Sequence, residues 1–157
     1  MNIISKIEIN YFRSIYSASF NSVNHLNVFV GGNDAGKSNI LRALNLFFNG
    51  KTELNTPYDF FQDITKYRVE EAREAKGRVT LWVKITFRNI DNWSSLPKTF
   101  YIKKSWDRNG DITLTHEKGT KLGTITKFLN KITFHYVPAI RGRETFRIIW
   151  GWYTIVY

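Results

Sequence analysis

Eight consecutive residues, Gly31-Gly32-Asn33-Asp34-Ala35-Gly36-Lys37-Ser38, constrain this chain more than any other stretch. They fit the G-x-x-x-x-G-K-[ST] pattern of a phosphate-binding loop. Gly31 and Gly36 permit backbone angles that a Cβ forbids, so the segment can wrap around an anion. A wrapped loop turns successive backbone N–H groups inward as an anion nest. Lys37 then brings a compact positive charge to the β- and γ-phosphates of a nucleotide, and the Ser38 hydroxyl can ligate Mg²⁺.

The flanks supply the context such a loop requires. Leu26-Asn27-Val28-Phe29-Val30 is a short apolar run that reads as a buried strand. After the loop, residues 38–48 place Ile40, Leu41, Ala43, Leu44, Phe47 and Phe48 on one helical face. Gly50 follows as a C-terminal stop. Strand, glycine loop and helix put the phosphates at a helix N-terminus, where the dipole favours negative charge.

The remaining sequence reads as α/β. Ile3 to Asn10 and Ser17 to Asn21 are expected strands joined by a turn at Tyr11-Phe12-Arg13-Ser14. Residues 51–65 read as loop. Lys66 to Lys76 reads as a charged helix or loop with Val69, Ala72 and Ala75 as its apolar stripe, a solvated connector. From Arg78 to Arg88, Val79, Leu81, Val83, Ile85 and Phe87 alternate with polar residues, the period of a half-buried antiparallel strand. Lys98 to Trp106 and Asp111 to His116 form an expected hairpin about an Asn109-Gly110 two-residue turn. A helix is expected over Lys121 to Ile132, and a further strand over Thr133 to Val137, ended by Pro138.

Composition narrows the function classes. With 157 residues and 43 % apolar content the chain can bury a real core. It has no cysteine, which excludes disulfides and zinc–thiolate sites and fits a cytoplasmic location. The N-terminus lacks the apolar core of a signal peptide, and no apolar run approaches the ~20 residues that span a membrane. The net charge of +10 is uneven. Residues 1–76 hold 9 basic and 8 acidic side chains, and residues 77–157 hold 14 and 5. The basic excess lies outside the glycine-loop half and favours a polyanion such as nucleic acid. A solvated basic face without a partner is the other reading.

Hydrolysis in loop-type nucleotidases uses a carboxylate at the end of an apolar strand to help hold Mg²⁺. After residue 90 the acidic residues are Asp91, Asp107, Asp111, Glu117 and Glu144, and none follows four apolar residues. There is no Ser-Gly-Gly signature stretch, and Asn130-Lys131-Ile132-Thr133 lacks the Asp of a guanine-reading motif. His25, His116 and His135 are scattered, so no metal cluster is inferred.

In order, Tyr11-Phe12-Arg13-Ser14-Ile15, then Val30 through Gly36-Lys37-Ser38-Asn39-Ile40-Leu41-Arg42-Ala43-Leu44, resembles the start of the ABC-type ATPases of the SMC, RecF and OLD group. Tyr136-Val137-Pro138-Ala139-Ile140-Arg141 is similar to a Tyr-hydrophobic-Pro-x-x-Arg segment of the OLD-like branch. The resemblance runs from residue 1 to about residue 147. It implies an α/β P-loop NTPase first lobe: a mixed sheet, a P-loop helix, and an antiparallel β subdomain over about residues 78–116.

By that resemblance, Gly31, Gly32, Asn33, Asp34, Ala35, Gly36, Lys37, Ser38 and Asn39 would hold ATP, with Ser38 on Mg²⁺. Arg13 and Ser14 would lie near the nucleotide, and Arg141 near the segment that senses the γ-phosphate. Members of the group continue into a second lobe with the signature motif, Walker B acid and His switch, none of which is found here. OLD nucleases add a metal-dependent nuclease domain. Residues 148–157 form an apolar aromatic tail expected from truncation or as a docking segment.

The reading is therefore an ATP-binding lobe acting in nucleic-acid repair or anti-phage defence. It would pair with a second lobe or with another copy, and hydrolyse little ATP alone. The alternative is a non-enzymatic basic module, binding nucleic acid or protein, with a vestigial P-loop. A small P-loop kinase is a third reading, disfavoured by the two strands before the loop and the missing lid arginines.

Overall fold

The computed structural model describes residues 2–32, 36–74 and 79–138. Asn33, Asp34, Ala35, Arg141 and the tail 148–157 lie outside them. Five strands form one sheet in the order β2-β1-β3-β4-β5, every neighbouring pair antiparallel. They are β1 (Ile4–Phe12), β2 (Ile15–Phe20), β3 (Leu81–Arg88), β4 (Thr99–Trp106) and β5 (Ile112–His116). Between β2 and β3 the chain forms α1 (Lys37–Asn49), the single turn α2 (Phe60–Asp63) and α3 (Lys66–Glu74), and α4 (Leu122–Leu129) follows β5. The N-terminal hairpin and the antiparallel strands after residue 78 are thus one continuous sheet.

The strict alternation in β3 sets the two faces. Leu81, Val83, Ile85 and Phe87 are fully buried. They pack with Ile7 and Ile9 of β1, Phe100, Ile102 and Trp106 of β4, and the buried sides of α1 and α4. At one end of this layer the Phe87 ring lies 5.8 Å from Phe100 and 5.2 Å from Phe128 of α4. Phe128 sits edge-on to Phe100 at 4.8 Å. The opposite face carries the polar positions: Lys6, Glu8, Trp82, Lys84, Thr86, Tyr101, Lys103 and Thr115.

One lysine sits on the inner face. Lys104, opposite Val83, extends beneath α1 and donates to the Phe47 carbonyl at 2.7 Å. It covers one of the carbonyls that a helix end leaves without a partner, where a cation is favoured. Burial pushes its pKa below the ordinary lysine value. Gly50 completes the stop with φ +69° and an N–H donated to the Leu46 carbonyl.

Several sequence expectations are corrected. Leu26 to Val30 is not a strand. A strand persists only where its N–H and C=O groups find partners, and this segment pairs with none among the described residues. Its side chains confirm the difference, with Leu26, Val28 and Val30 73–90 % exposed. Only Phe29 turns inward, edge-on to Phe20 at 5.2 Å. Thr133 to Val137 likewise joins no described strand, although Phe134 stacks on Phe48 at 5.0 Å. Leu41, assigned to the buried helical face, is 41 % exposed and borders the same open region as Val28 and Val30.

The β4–β5 connection is not a two-residue turn. Among the residues between Asp107 and Asp111 only Gly110 has positive φ, whereas a type I′ turn needs two such residues. The Asp107 carboxylate accepts from the N–H groups of Asn109 and Asp111 at 2.9 and 3.0 Å and shapes a longer loop. Residues 51–65 contain α2, capped by Asp59 accepting from the N–H groups of Phe61 and Gln62. The charged connector is the helix α3, held by Arg68 over the Tyr11 ring and by Tyr16 donating to Glu71 at 2.5 Å.

Candidate functional site

The glycine loop enters α1 through Gly36, whose φ of +83° lies in the left-handed region. An added Cβ there would stand 2.9 Å from Ser14 Oγ. Gly36 is therefore fixed twice, by its dihedral and by the approach of the β1–β2 turn. Asn39, in the first turn of α1, donates to that same Ser14 Oγ at 2.9 Å. Ser14 and Asn39 thus meet each other at the loop exit. Lys37 donates to the carbonyls of Gly31 and Gly32 at 2.6 and 2.5 Å. A lysine has three donors, so the ammonium can close the loop and still offer a hydrogen to an anion. Ser38 is exposed in the first turn beside it.

The β1–β2 turn is strained. Tyr11 and Arg13 both take left-handed φ values, +64° and +50°, which costs energy for a residue with a Cβ. The surroundings hold it there. Thr65 N–H donates to the Tyr11 carbonyl at 2.9 Å and Arg13 N–H to the Asp63 carbonyl at 2.7 Å. Arg13 Nε donates to the Asp63 carboxylate at 2.8 Å, and that carboxylate is 1 % exposed. Its other oxygen accepts from Asp59 N–H at 2.9 Å. The two residues of the turn have different partners, although both line one open pocket. Ser14 lies against the loop, and the Arg13 guanidinium is engaged by α2.

From Asn39 a polar chain runs along α1. Arg42 donates to Asn39 Oδ1 at 3.1 Å and to Glu53 through Nε. The other Glu53 oxygen accepts from the Tyr136 hydroxyl at 2.9 Å. Asn45 donates to the Glu53 carbonyl, and Asn49 to Asn45 and to the Phe134 carbonyl. The expected Tyr-Val-Pro segment is therefore tied to the loop helix by polar contacts. Glu53, Asn45 and Asp63 carry this arrangement and sequence reasoning passed over them. Only Asn45 left a trace, as a polar residue among the apolar positions of the helix.

Burial, and then the Glu53 carboxylate, pushes the Tyr136 hydroxyl up to about 12. A group whose folded pKa is raised supports the fold below its unfolded value near 10. That support is lost as pH rises through the folded value. Stability is expected to fall between about pH 10 and 12. In Tyr136→Phe this part of the decline disappears in pH-dependent chemical denaturation.

The described groups of the site are of the kind that attract an anion. The site presents a left-handed glycine, an exposed Ser38 hydroxyl, an ammonium at the loop mouth and the N-terminus of a thirteen-residue helix. Were Mg²⁺ bound with a nucleotide, the exposed Ser38 hydroxyl would be the residue here to hold it, and the ion would offset phosphate charge. Among the described residues no group of three or more His, Asp or Glu side chains could hold a metal by itself, and no helix is long and apolar enough to cross a membrane. Beside the loop lies an open groove of about 1090 Å³ between residues 20–30, the start of β1 and α1. Its walls include Ile3, Phe20, Val28, Val30 and Leu41.

Three comparisons bear on this arrangement. A family model described as AAA ATPase domain matches residues 1–137. An uncharacterised protein of Methanocaldococcus jannaschii is 50 % identical over 48 residues, 31 % of this chain and 14 % of that protein. The chain thus spans about a seventh of that relative. Among solved structures, an SMC ATPase studied for ATP-driven dimerization and DNA-stimulated activation superposes with a TM-score of 0.62 at 19 % identity, over 94 % of this chain and 91 % of that one. The recombination mediator RecF, solved with ATP, superposes with a TM-score of 0.54 at 19 % identity, over 76 % of this chain and 27 % of that one. At these identities the likeness is one of fold.

Proposed function

The chain belongs to the AAA ATPase domain family, and from that premise we propose that it is the ATP-binding first lobe of an OLD/RecF-like ATPase. Its work would be on nucleic acid, in repair or in anti-phage defence. The observation that carries the nucleotide part is the loop exit: Gly36 in a left-handed conformation against Ser14 Oγ, which accepts from Asn39, with Lys37 donating to the Gly31 and Gly32 carbonyls. ATP would lie with its phosphates against residues 31–38 and Mg²⁺ on Ser38. In this reading Arg13 serves by holding the turn that presents Ser14. Arg141 remains a proposed γ-phosphate contact, outside the described residues.

The lobe does not complete a catalytic centre by itself in this reading. Leu26, Val28 and Val30 present an apolar edge beside the groove. A second lobe, or a second copy, would lay a strand along it and bring the acid that activates water. That support is physical: an exposed apolar patch beside unpaired backbone is an association surface. The basic excess after residue 76 favours nucleic acid as the polymer acted on.

The test is calorimetric. Wild type is expected to bind Mg·ATP with negligible steady-state turnover. Lys37→Ala should bind more weakly by about 1.5–3 kcal/mol, the worth of a hydrogen bond to a charged group. Equal affinity in the two proteins would sink the nucleotide reading. Robust turnover by wild type, lost in Lys37→Ala, would overturn the claim that a second lobe is needed. A non-enzymatic basic module is the reading left standing if ATP does not bind and nucleic acid does.

A further inference from the structure

On the sheet face turned away from the buried core, Lys6, Glu8, Trp82, Lys84, Tyr101 and Lys103 each keep part of their surface exposed. At the centre of that face Lys84 of β3 and Lys103 of β4 stand directly opposite one another. Like charges in that position repel. Burial, and then the Lys84 charge, pushes the Lys103 pKa below its ordinary value. Glu8 of β1, opposite Lys84, offsets part of this, pairing with Lys84 at 3.4 Å and Lys6 at 3.1 Å. Two of the three lysines thus pair with the one carboxylate.

Each of the two central lysines rests on an aromatic ring. Lys103 Nζ lies 4.3 Å from the Trp82 centroid and Lys84 Nζ 4.7 Å from that of Tyr101. Trp82 and Tyr101 are both half-buried on this face. In register they are four positions apart on adjacent strands, roughly 13 Å along the strand direction at 3.3 Å per residue. The rings are thus far enough apart to take one base each, once the lysine resting on each swings aside to a phosphate.

We propose that this face is a stacking platform for single-stranded nucleic acid, with Trp82 and Tyr101 taking bases and Lys6, Lys84 and Lys103 taking phosphates. Unpaired bases stack on aromatic side chains of an open sheet while cations track the backbone. A duplex hides its base faces and offers these rings nothing to stack on. A protein partner fits less well, because interface cores are depleted in lysine. A bound polyanion would also relieve the repulsion between Lys84 and Lys103. The inference deepens the nucleic-acid part of the proposed function and rests on that reading, but not on nucleotide binding.

Fluorescence anisotropy with a labelled oligothymidylate of about 15 nucleotides, on the full chain without ATP, tests it. Wild type should bind the single strand more tightly than a duplex of equal length. The double variant Lys84→Gln/Lys103→Gln should reduce the salt dependence of log K by about 1.4, at ~0.7 per phosphate contact. Trp82→Leu and Tyr101→Leu should each weaken binding about tenfold or more with the salt dependence unchanged. Circular dichroism checks folding, and if Trp82→Leu fails to fold, Tyr101→Leu and the lysine pair decide. Single-strand binding retained in all folded variants, or equal binding to duplex, overturns the platform alone. Absence of any nucleic-acid binding by wild type at low salt overturns the nucleic-acid reading with it.

Discussion

Asp63→Ala is expected to destabilise the protein by about 3–5 kcal/mol, the loss that follows when one partner of a buried ion pair is removed. The carboxylate accepts from Arg13 Nε and from Asp59 N–H, and it is fully enclosed. Without it the guanidinium is left partly buried and unpaired, and the β1–β2 turn loses one of the contacts that hold Arg13 in its left-handed conformation. The effect should reach the loop, because Ser14, the next residue, meets Gly36 and Asn39. Urea denaturation gives the stability. Mg·ATP calorimetry on the folded fraction should show weakened binding. A variant with wild-type stability would show that the turn is held by its backbone hydrogen bonds alone.

Phe87→Ala should cost about as much, 3–5 kcal/mol, for a different reason. The ring is wholly buried and touches Phe100 and Phe128, so its removal leaves a cavity in a layer that joins β3, β4 and α4. The loop exit lies on the N-terminal side of α1, away from this cluster. ATP affinity of the folded protein should therefore stay near wild type. Together the two variants separate global stability from placement of the loop. If Phe87→Ala lost ATP affinity as strongly as Asp63→Ala, that separation would fail.

What could be read from the sequence depended on whether the deciding contact was local. The alternation from Leu81 to Phe87 reports its own burial, because each side chain needs only the pleat to choose a face. The loop helix is legible for the same reason, from the glycine pattern to Gly50. Leu26 to Val30 misled because strandedness belongs to a pair of segments, and apolar content says nothing about whether a neighbour is present. The fate of Arg13 was hidden in Asp63, fifty residues on. Lys104 was hidden by its neighbour. Two adjacent lysines look like a solvated stretch, yet one faces out over Trp82 and the other caps α1.

The strand order carries a consequence for biosynthesis. β1 and β2 are made first, but β1 must wait about seventy residues for β3, its other neighbour. The β3-β4-β5 meander joins strands close in the chain, whose pairing is entropically cheaper. We therefore expect the meander to form early and the N-terminal hairpin to dock on it late. The residues that would grip phosphate, though among the earliest translated, would be set only after Lys104 has left the ribosome and reached the far end of their helix. Pulse-labelled hydrogen exchange during refolding should protect β3 and β4 amides before those of β2. The reverse order would mean that the hairpin guides the meander. Ribosome-bound chains ending before β4 should then be unable to bind nucleotide, however complete their loop.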